Sequence, residues 1–233
     1  MSSIDSDVVL LTCRGGGSRR RFPFHGIRPA SRAARVPAVL AHVPAVELPP
    51  DPGRTDIDPV LAEHLPRRLI VAGQDSDLGA VLVRLLRTER LESVEVAYLP
   101  ASRSSAAAAA WGLPTDPAAA AALALDGTAT PVPLIRDDVG GVLVGRGEIR
   151  GLQGEAYCDN TLVLRGRARR LVVAPGPEGV GVLAGRGVRA ATGRAVQVGC
   201  VSATAVVDGR EHPRAVPRWT WYRHLVDWRL VRP

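Results

Sequence analysis

The chain has 233 residues, 46% of them hydrophobic and 23% charged, which is the balance of a globular protein able to bury one or two cores. Its net charge of +7 and pI near 10.5 favour an anionic partner such as phosphate headgroups, nucleotides or nucleic acid, or else mark a solvated arginine-rich surface. No apolar run approaches the ~18 residues of a membrane-spanning helix, so any membrane contact is expected to be peripheral. Met1 to Asp7 carries two acids and no basic segment and does not read as a secretory signal. Lysine is absent, so all 30 basic residues are arginine, as expected of a GC-rich bacterial genome. Cys13, Cys158 and Cys200 form no C-x-x-C pair, which argues against zinc and for a reducing, cytoplasmic setting.

Asp7 to Thr12 reads as a first strand, followed by Gly15-Gly16-Gly17-Ser18 and Arg19-Arg20-Arg21, either a phosphate-binding turn or a plain loop. Residues 22 to 66 are Pro-rich. Within them, 38 to 41 and 43 to 48 suggest strands, and Asp58 with Pro59 suggests a capped helix running to His64. From 67 to 127 the expected order is strand, helix, strand, helix, helix: a parallel sheet with helices packed on it. Leu69 to Ala72 and Val94 to Leu99 are the strands, Leu78 to Leu86 is the first helix, and 106 to 110 starts the second. Thr115 or Asp116 caps the third helix, with Pro117 at its first position and Gly127 beyond its end.

After about residue 131 the pattern changes to short apolar runs separated by Gly and polar turns. The runs are 141 to 144, 161 to 164, 171 to 174, 179 to 184, 195 to 207 and 219 to 231, and they predict an antiparallel sheet or sandwich. The expected division is therefore an α/β domain over 1–130 and a β-rich domain over 131–233. Arg165, Arg167 and Arg169 alternate onto one strand face, either solvated or facing an anion. Trp219, Trp221 and Trp228 lie among Arg218, Arg223 and Arg229, either closing a core or stacking on bases or headgroups. The five histidines have no metal-binding spacing, and no G-x-S-x-G elbow is present. Nucleic-acid binding would rest on charge and this terminal cluster alone.

Two segments carry the strongest signal. Gly73-Gln74-Asp75-Ser76-Asp77-Leu78 and Pro100 to Pro114 each follow an apolar strand and precede a helix. Turns of this kind lie at the carboxyl ends of strands in open α/β sheets, where ligands bind, and the helix start offers free N–H groups to an anion. Together they resemble the diacylglycerol kinase and lipid kinase family, which shares its fold with the NAD kinases. The first segment is similar to G-G-D-G-T-L. The second is similar to P-x-G-T-x-N-D-F-A-R-x-L-G-I-P, with Pro100, Ala108, Gly112, Leu113 and Pro114 in register. Asp116-Pro117-Ala118 through Leu125, Gly127 and Pro131 to Leu134 resemble the family's continuation. Val206 to Glu211 resembles its D-G-E strand, and Leu230 to Pro233 its closing strand. The resemblance covers residues 68 to 136 well and the last thirty weakly.

The resemblance implies a Rossmann-like α/β domain followed by a β-rich domain, and magnesium-dependent transfer of the ATP γ-phosphoryl to a lipid hydroxyl. Asp75 would orient the nucleotide or a metal-bound water, although Asp also suits a helix N-cap. Gly73, Gln74, Ser76 and Asp77 in the first turn, and Ser102, Arg103 and Ser105 in the second, would contact ATP. Pro177-Glu178-Gly179-Val180 stands where the family has D-D-G-L, so Glu178 would be the magnesium ligand, or an ordinary acidic turn residue. Arg210 stands where the family's D-G-E has its glutamate. Glu211, one residue later, would be the base, although one residue along a strand reverses the face. The motif departures are physical: Gln74 and Ser76 replace glycines, Asp77 replaces a threonine, and the amide-acid pair of the second motif is gone. The alternative is therefore a catalytically silent relative that binds a nucleotide, a lipid or a protein. In either case the expected location is the cytoplasm, with peripheral contact at the inner membrane face.

Overall fold

The computed structural model describes residues 7–14, 34–184 and 191–233. The Gly15 to Ser18 turn and Arg19 to Arg21 lie outside the described residues.

The first layer is a six-stranded sheet. In chain order its strands are β1 (Val8–Cys13), β2 (Ala45–Leu48), β3 (Arg68–Gly73), β4 (Glu95–Pro100), β5 (Ala129–Val132) and β15 (Trp228–Val231). Their spatial order is β2-β1-β3-β4-β15-β5, parallel except where β5 meets β15. The central strands are apolar on both faces, as a sheet covered on both sides requires. Val9, Leu11, Leu69, Val71, Val96 and Tyr98 pack on one face with α1 (Arg54–His64), α2 (Asp75–Arg87) and α3 (Ala106–Trp111). Leu10, Ile70, Ala72, Ala97 and Leu99 pack on the other with α4 (Pro117–Asp126). The expected strand-helix-strand-helix-helix order over 67–127 is present, and Asp116 caps α4 through the N–H groups of Ala118 and Ala119.

The proline-rich segment differs from expectation. Residues 38 to 40 form a 3-10 turn, not a strand, and only Ala45–Leu48 pairs with β1. The helix begins at Arg54 after Gly53, where Asp56 accepts the Gly53 N–H. Asp58 is therefore inside the helix, where it holds Arg84 of α2 through two hydrogen bonds of 2.7 and 2.8 Å. Pro59 also lies inside the helix, beyond its first turn, so the helix does without the bond that an N–H there would have made to the Thr55 carbonyl.

The second layer is one nine-stranded antiparallel sheet. It comprises β6 (Ile135–Asp137), β7 (Val142–Leu143), β8 (Gly147–Cys158), β9 (Thr161–Gly176), β10 (Gly179–Ala184), β11 (Ala191–Gly193), β12 (Ala195–Val207), β13 (Arg210–Glu211) and β14 (Val216–Arg223). The sheet curls enough for β10 to approach β14 across a core filled by Trp219, Trp221, Ile149, Leu171 and Val196. Residues 161 to 164 and 171 to 174 belong to one long strand, because Gly151 and Gly166, both at positive φ, bend β8 and β9 without breaking the pairing. The run 219 to 231 is two strands, β14 in the second sheet and β15 in the first. The expected boundary near residue 130 falls within β5, and β15 carries the chain back to the first sheet.

One buried ion pair ties that return to the core. Arg68 donates to Glu95 at 2.8 Å and also to the carbonyls of Ala124, Leu125 and Gly127. The guanidinium thus stands at the negative end of α4, where a cation is favoured. Arg229 of β15 reaches the same Glu95 at 3.2 Å.

Candidate functional site

A cavity of about 280 Å³ opens where the carboxyl ends of β3 and β4 face the second sheet. Gln74, Asp75, Tyr98, Ser102, Ser104 and Ser105 line it from the first layer, with Ala106, and Arg146, Asp208 and Gly209 line it from the second. Of the residues singled out from sequence, Asp75, Gln74, Ser102 and Ser105 meet here.

Asp75 is the first residue of α2, yet its carboxylate is turned toward the start of α3. Oδ2 accepts the N–H groups of Ala106 (2.8 Å) and Ala107 (3.2 Å), and Oδ1 accepts the Ser105 hydroxyl at 2.5 Å. The Tyr98 hydroxyl lies 2.9 Å from the same Oδ1 and 3.0 Å from the Gly73 carbonyl, so its single proton serves one of them at a time. A carboxylate has about four acceptor sites. Three take donors of the chain itself and the fourth takes the Tyr98 proton when the Gly73 carbonyl does not, so the free amides of α3 are held by an internal carboxylate. Burial, and next the Asp75 charge, push the Tyr98 phenol well above its ordinary value, so it remains a donor.

Ser105 caps α3 as well, since its Oγ accepts the Ala108 N–H at 2.9 Å. Ser102 and Ser104 share a 2.8 Å hydroxyl contact. Arg103, between them, is exposed and does not line the cavity. Ser76 is half-buried on α2, also off the cavity wall.

Gly73 and Asp77 form the floor beneath the turn. Asp77 is 2% exposed and accepts the N–H groups of Gln74 (2.7 Å) and Asp51 (2.8 Å). A Cβ on Gly73 would come 2.5 Å from Asp77 Oδ2, so the glycine is needed for the carboxylate to fold back there. Burial raises the Asp77 pKa to about 6, against the hydrogen bond from Gln74 that lowers it. Asp77 is thus a cap on the α2 turn.

The sequence reading gave no role to Asp208, although the signal was present: Asp-Gly between two alternating runs is a two-residue hairpin turn. Asp208 and Gly209 both have positive φ and join β12 to β13. The Asp208 carboxylate accepts the N–H groups of Val144 (2.9 Å), Gly145 (2.8 Å) and Arg146 (2.8 Å), which leaves one acceptor site over. Burial raises its pKa to about 7, opposed by the Val144 and Arg146 amides and reinforced by the Asp75 charge. Gly145 lets this loop lie against α3, since a Cβ there would run into the Ala107 backbone.

Glu211 and Glu178 are placed elsewhere. Glu211 is exposed on β13, 4.0 Å from Arg150, and does not line the cavity. Arg210, at the position of the D-G-E glutamate, is ion-paired with Asp51. Glu178 sits in the exposed turn between β9 and β10, off the cavity wall. Among the described residues no group of three His, Cys, Asp or Glu side chains could hold a metal ion. Magnesium takes near-octahedral oxygen coordination. Asp75 already holds the Ala106 and Ala107 amides and the Ser105 hydroxyl, and Glu178 and Glu211 lie away from the cavity, so the residues present do not fit a resident magnesium ion.

No protein-family model matches the chain, and no curated protein matches it. Solved structures do. A diacylglycerol kinase from Bacillus anthracis str. Sterne superposes with a TM-score of 0.69 at 12% identity, over 100% of this chain and 98% of its own. An NAD kinase from Archaeoglobus fulgidus in complex with ATP superposes at 0.56 and 12% identity, over 97% and 93%. The chain has the diacylglycerol kinase and NAD kinase fold. The expected architecture is confirmed at this level, including the parallel-dominated first sheet and the antiparallel second one. Among the described residues, no helix is long and apolar enough to cross a membrane.

Proposed function

We propose that the chain is a nucleotide-binding protein on a kinase fold that takes ligand hydroxyls, such as those of a ribose, into the Asp75–Asp208 cavity and transfers no phosphoryl group. The observation that carries this reading is how Asp75 is held: two backbone amides and the Ser105 hydroxyl donate to its carboxylate, and the Tyr98 proton is shared between it and the Gly73 carbonyl. A group so held positions the start of α3 and is committed to the fold rather than to a bound ligand. Asp208 supplies an acceptor to the cavity, and the Ser102 and Ser104 hydroxyls supply both acceptors and donors, which suits a hydroxyl-bearing group such as a sugar. The volume lies near the lower end of small-molecule sites, about 300 Å³, which suits a sugar-sized part of a ligand. The ATP held by a protein of the same fold supports the choice of a nucleotide.

A second reading is phosphoryl transfer with Asp208 as the base. Its pKa of about 7 matches the neutral range in which a general base works best, and its one spare acceptor site could take a proton from a bound hydroxyl, of a lipid or another acceptor. Calorimetry with adenosine and with ATP, followed by an assay for ADP, separates the two. The first reading expects adenosine binding weakened by Asp208→Asn, with no ADP formed at any magnesium concentration. ADP formation abolished by Asp208→Asn would establish the second.

A further inference from the structure

Beside the cavity, and sharing Arg146 and Gly209 with it, is a second hollow of about 190 Å³. Its walls are Arg146, Glu148, Arg150, Arg170 and Val206. Glu148 is 5% exposed and lies at the centre of three guanidinium groups: Arg146 at 2.8 Å, Arg150 at 2.8 Å and Arg170 at 3.6 Å. Burial alone would raise its pKa, but the Arg150 hydrogen bond and the three positive charges outweigh that and lower it. Glu148 is therefore ionised and gathers the arginines. One carboxylate does not balance three guanidiniums. Glu211 is 4.0 Å from Arg150 and mostly exposed, so it offsets little, and Arg210 nearby is engaged by Asp51. The guanidiniums also keep unused donors. Arg146 Nε is buried and, although 2.8 Å from Glu148 Oε1, makes no well-directed hydrogen bond. Each arginine presents five N–H groups in a fixed fork, which matches a carboxylate such as Glu148 on one side and can match a phosphate on the other.

We infer that this cleft is a phosphate subsite, built on the second sheet by Arg146, Arg150 and Arg170 around Glu148. It binds the phosphate of a ligand whose hydroxyl-bearing part enters the adjoining cavity. The cleft continues the cavity through Arg146, so a ligand with hydroxyls at one end and a phosphate at the other spans both. The inference rests on the proposed nucleotide reading for the hydroxyl end only. A phosphorylated headgroup at a membrane surface offers the same chemistry as a free phosphate, and the test separates the two sources.

The test uses the whole chain with inorganic pyrophosphate and, separately, vesicles of phosphatidylcholine with or without phosphatidic acid. Binding is measured by calorimetry and sedimentation at constant ionic strength. Pyrophosphate binding, weakened at least about ten-fold in Arg150→Gln/Arg170→Gln, is the expected result, since charge-assisted bonds are lost. The companion Arg150→Lys/Arg170→Lys keeps the charge around Glu148 and should fold even where the glutamine pair does not. It loses the forks and should bind pyrophosphate more weakly than wild type. Binding only to phosphatidic acid vesicles, lost in the same variants, would support the subsite with a headgroup as its ligand. No binding in either arm, or binding unchanged in both variants, overturns the inference. Adenosine carries no phosphate and reports on the cavity alone. Loss of adenosine binding with pyrophosphate binding retained would therefore count against the nucleotide reading and leave the subsite standing.

Discussion

Replacing Asp75 tests whether this carboxylate holds the fold or performs chemistry. Asp75→Ala removes an acceptor from Ala106 N, Ala107 N, Ser105 Oγ and the Tyr98 hydroxyl. Tyr98 can turn its proton to the Gly73 carbonyl, and cavity water can reach the Ala106 amide, so part of the loss is recovered. A hydrogen bond to a charged group contributes about 1.5–3 kcal/mol, so the net cost should be about 2–4 kcal/mol. For a chain of this size that lowers the midpoint of thermal unfolding by roughly 5–15 °C. Asp75→Asn discriminates further. Its NH2 group would face N–H or O–H donors, so it should destabilise by a similar amount despite its matching shape. The assay is urea and thermal unfolding followed by circular dichroism. Unchanged stability in both variants would refute the positioning role and return Asp75 to the candidates for catalysis.

Other consequences are open to the same instruments. Asp77 and Asp208 have folded pKa values of about 6 and about 7, above the ~3.9 of an unfolded aspartate. Between these values the folded state binds more protons, so stability should fall as pH rises from about 4 through 7. Urea midpoints that rise over this window would contradict the burial argument. Arg68→Ala leaves Glu95 buried beside two partly exposed arginines, Arg67 and Arg229, and uncaps α4. It should cost about 3–5 kcal/mol in urea unfolding, and a loss below about 1 kcal/mol would show that the pair is dispensable. Arg210→Glu restores the resembled family's glutamate but sets it against Asp51. It should lower stability by about 1 kcal/mol without creating ADP formation, and the coupled-enzyme assay decides the second point.

The parallel sheet was legible because its strands are apolar on both faces and its turns carry Gly73, Asp116 and Pro117 at positions with a mechanical meaning. The second sheet was only half legible. Glycines at 151 and 166 bend long strands that read as fragments, and β15 crosses to the first sheet through contacts 134 residues apart in sequence, as between Arg229 and Glu95. At the site, the motif register singled out Asp75 and Ser105, which meet at one cavity, but not their partnership. Which donors surround a carboxylate depends on where α3 docks, and that docking depends on Gly145 and the Asp208 turn. Asp58 misled for a similar reason. An aspartate before a proline is a good cap locally, but Asp56 takes the Gly53 N–H and starts the helix at Arg54, which leaves Asp58 in its body to pair with Arg84 of α2. The arginine cleft joins residues of β8 and β9 with the loop before them, a pairing that alternation along one strand does not reveal.

The most direct test of the central claim is ATP titrated into the wild-type chain with magnesium and with a chelator, with ADP quantified in the same samples. The account predicts binding under both conditions and no ADP above the buffer control. Magnesium-dependent ADP formation would contradict it and assign the cavity to phosphoryl transfer.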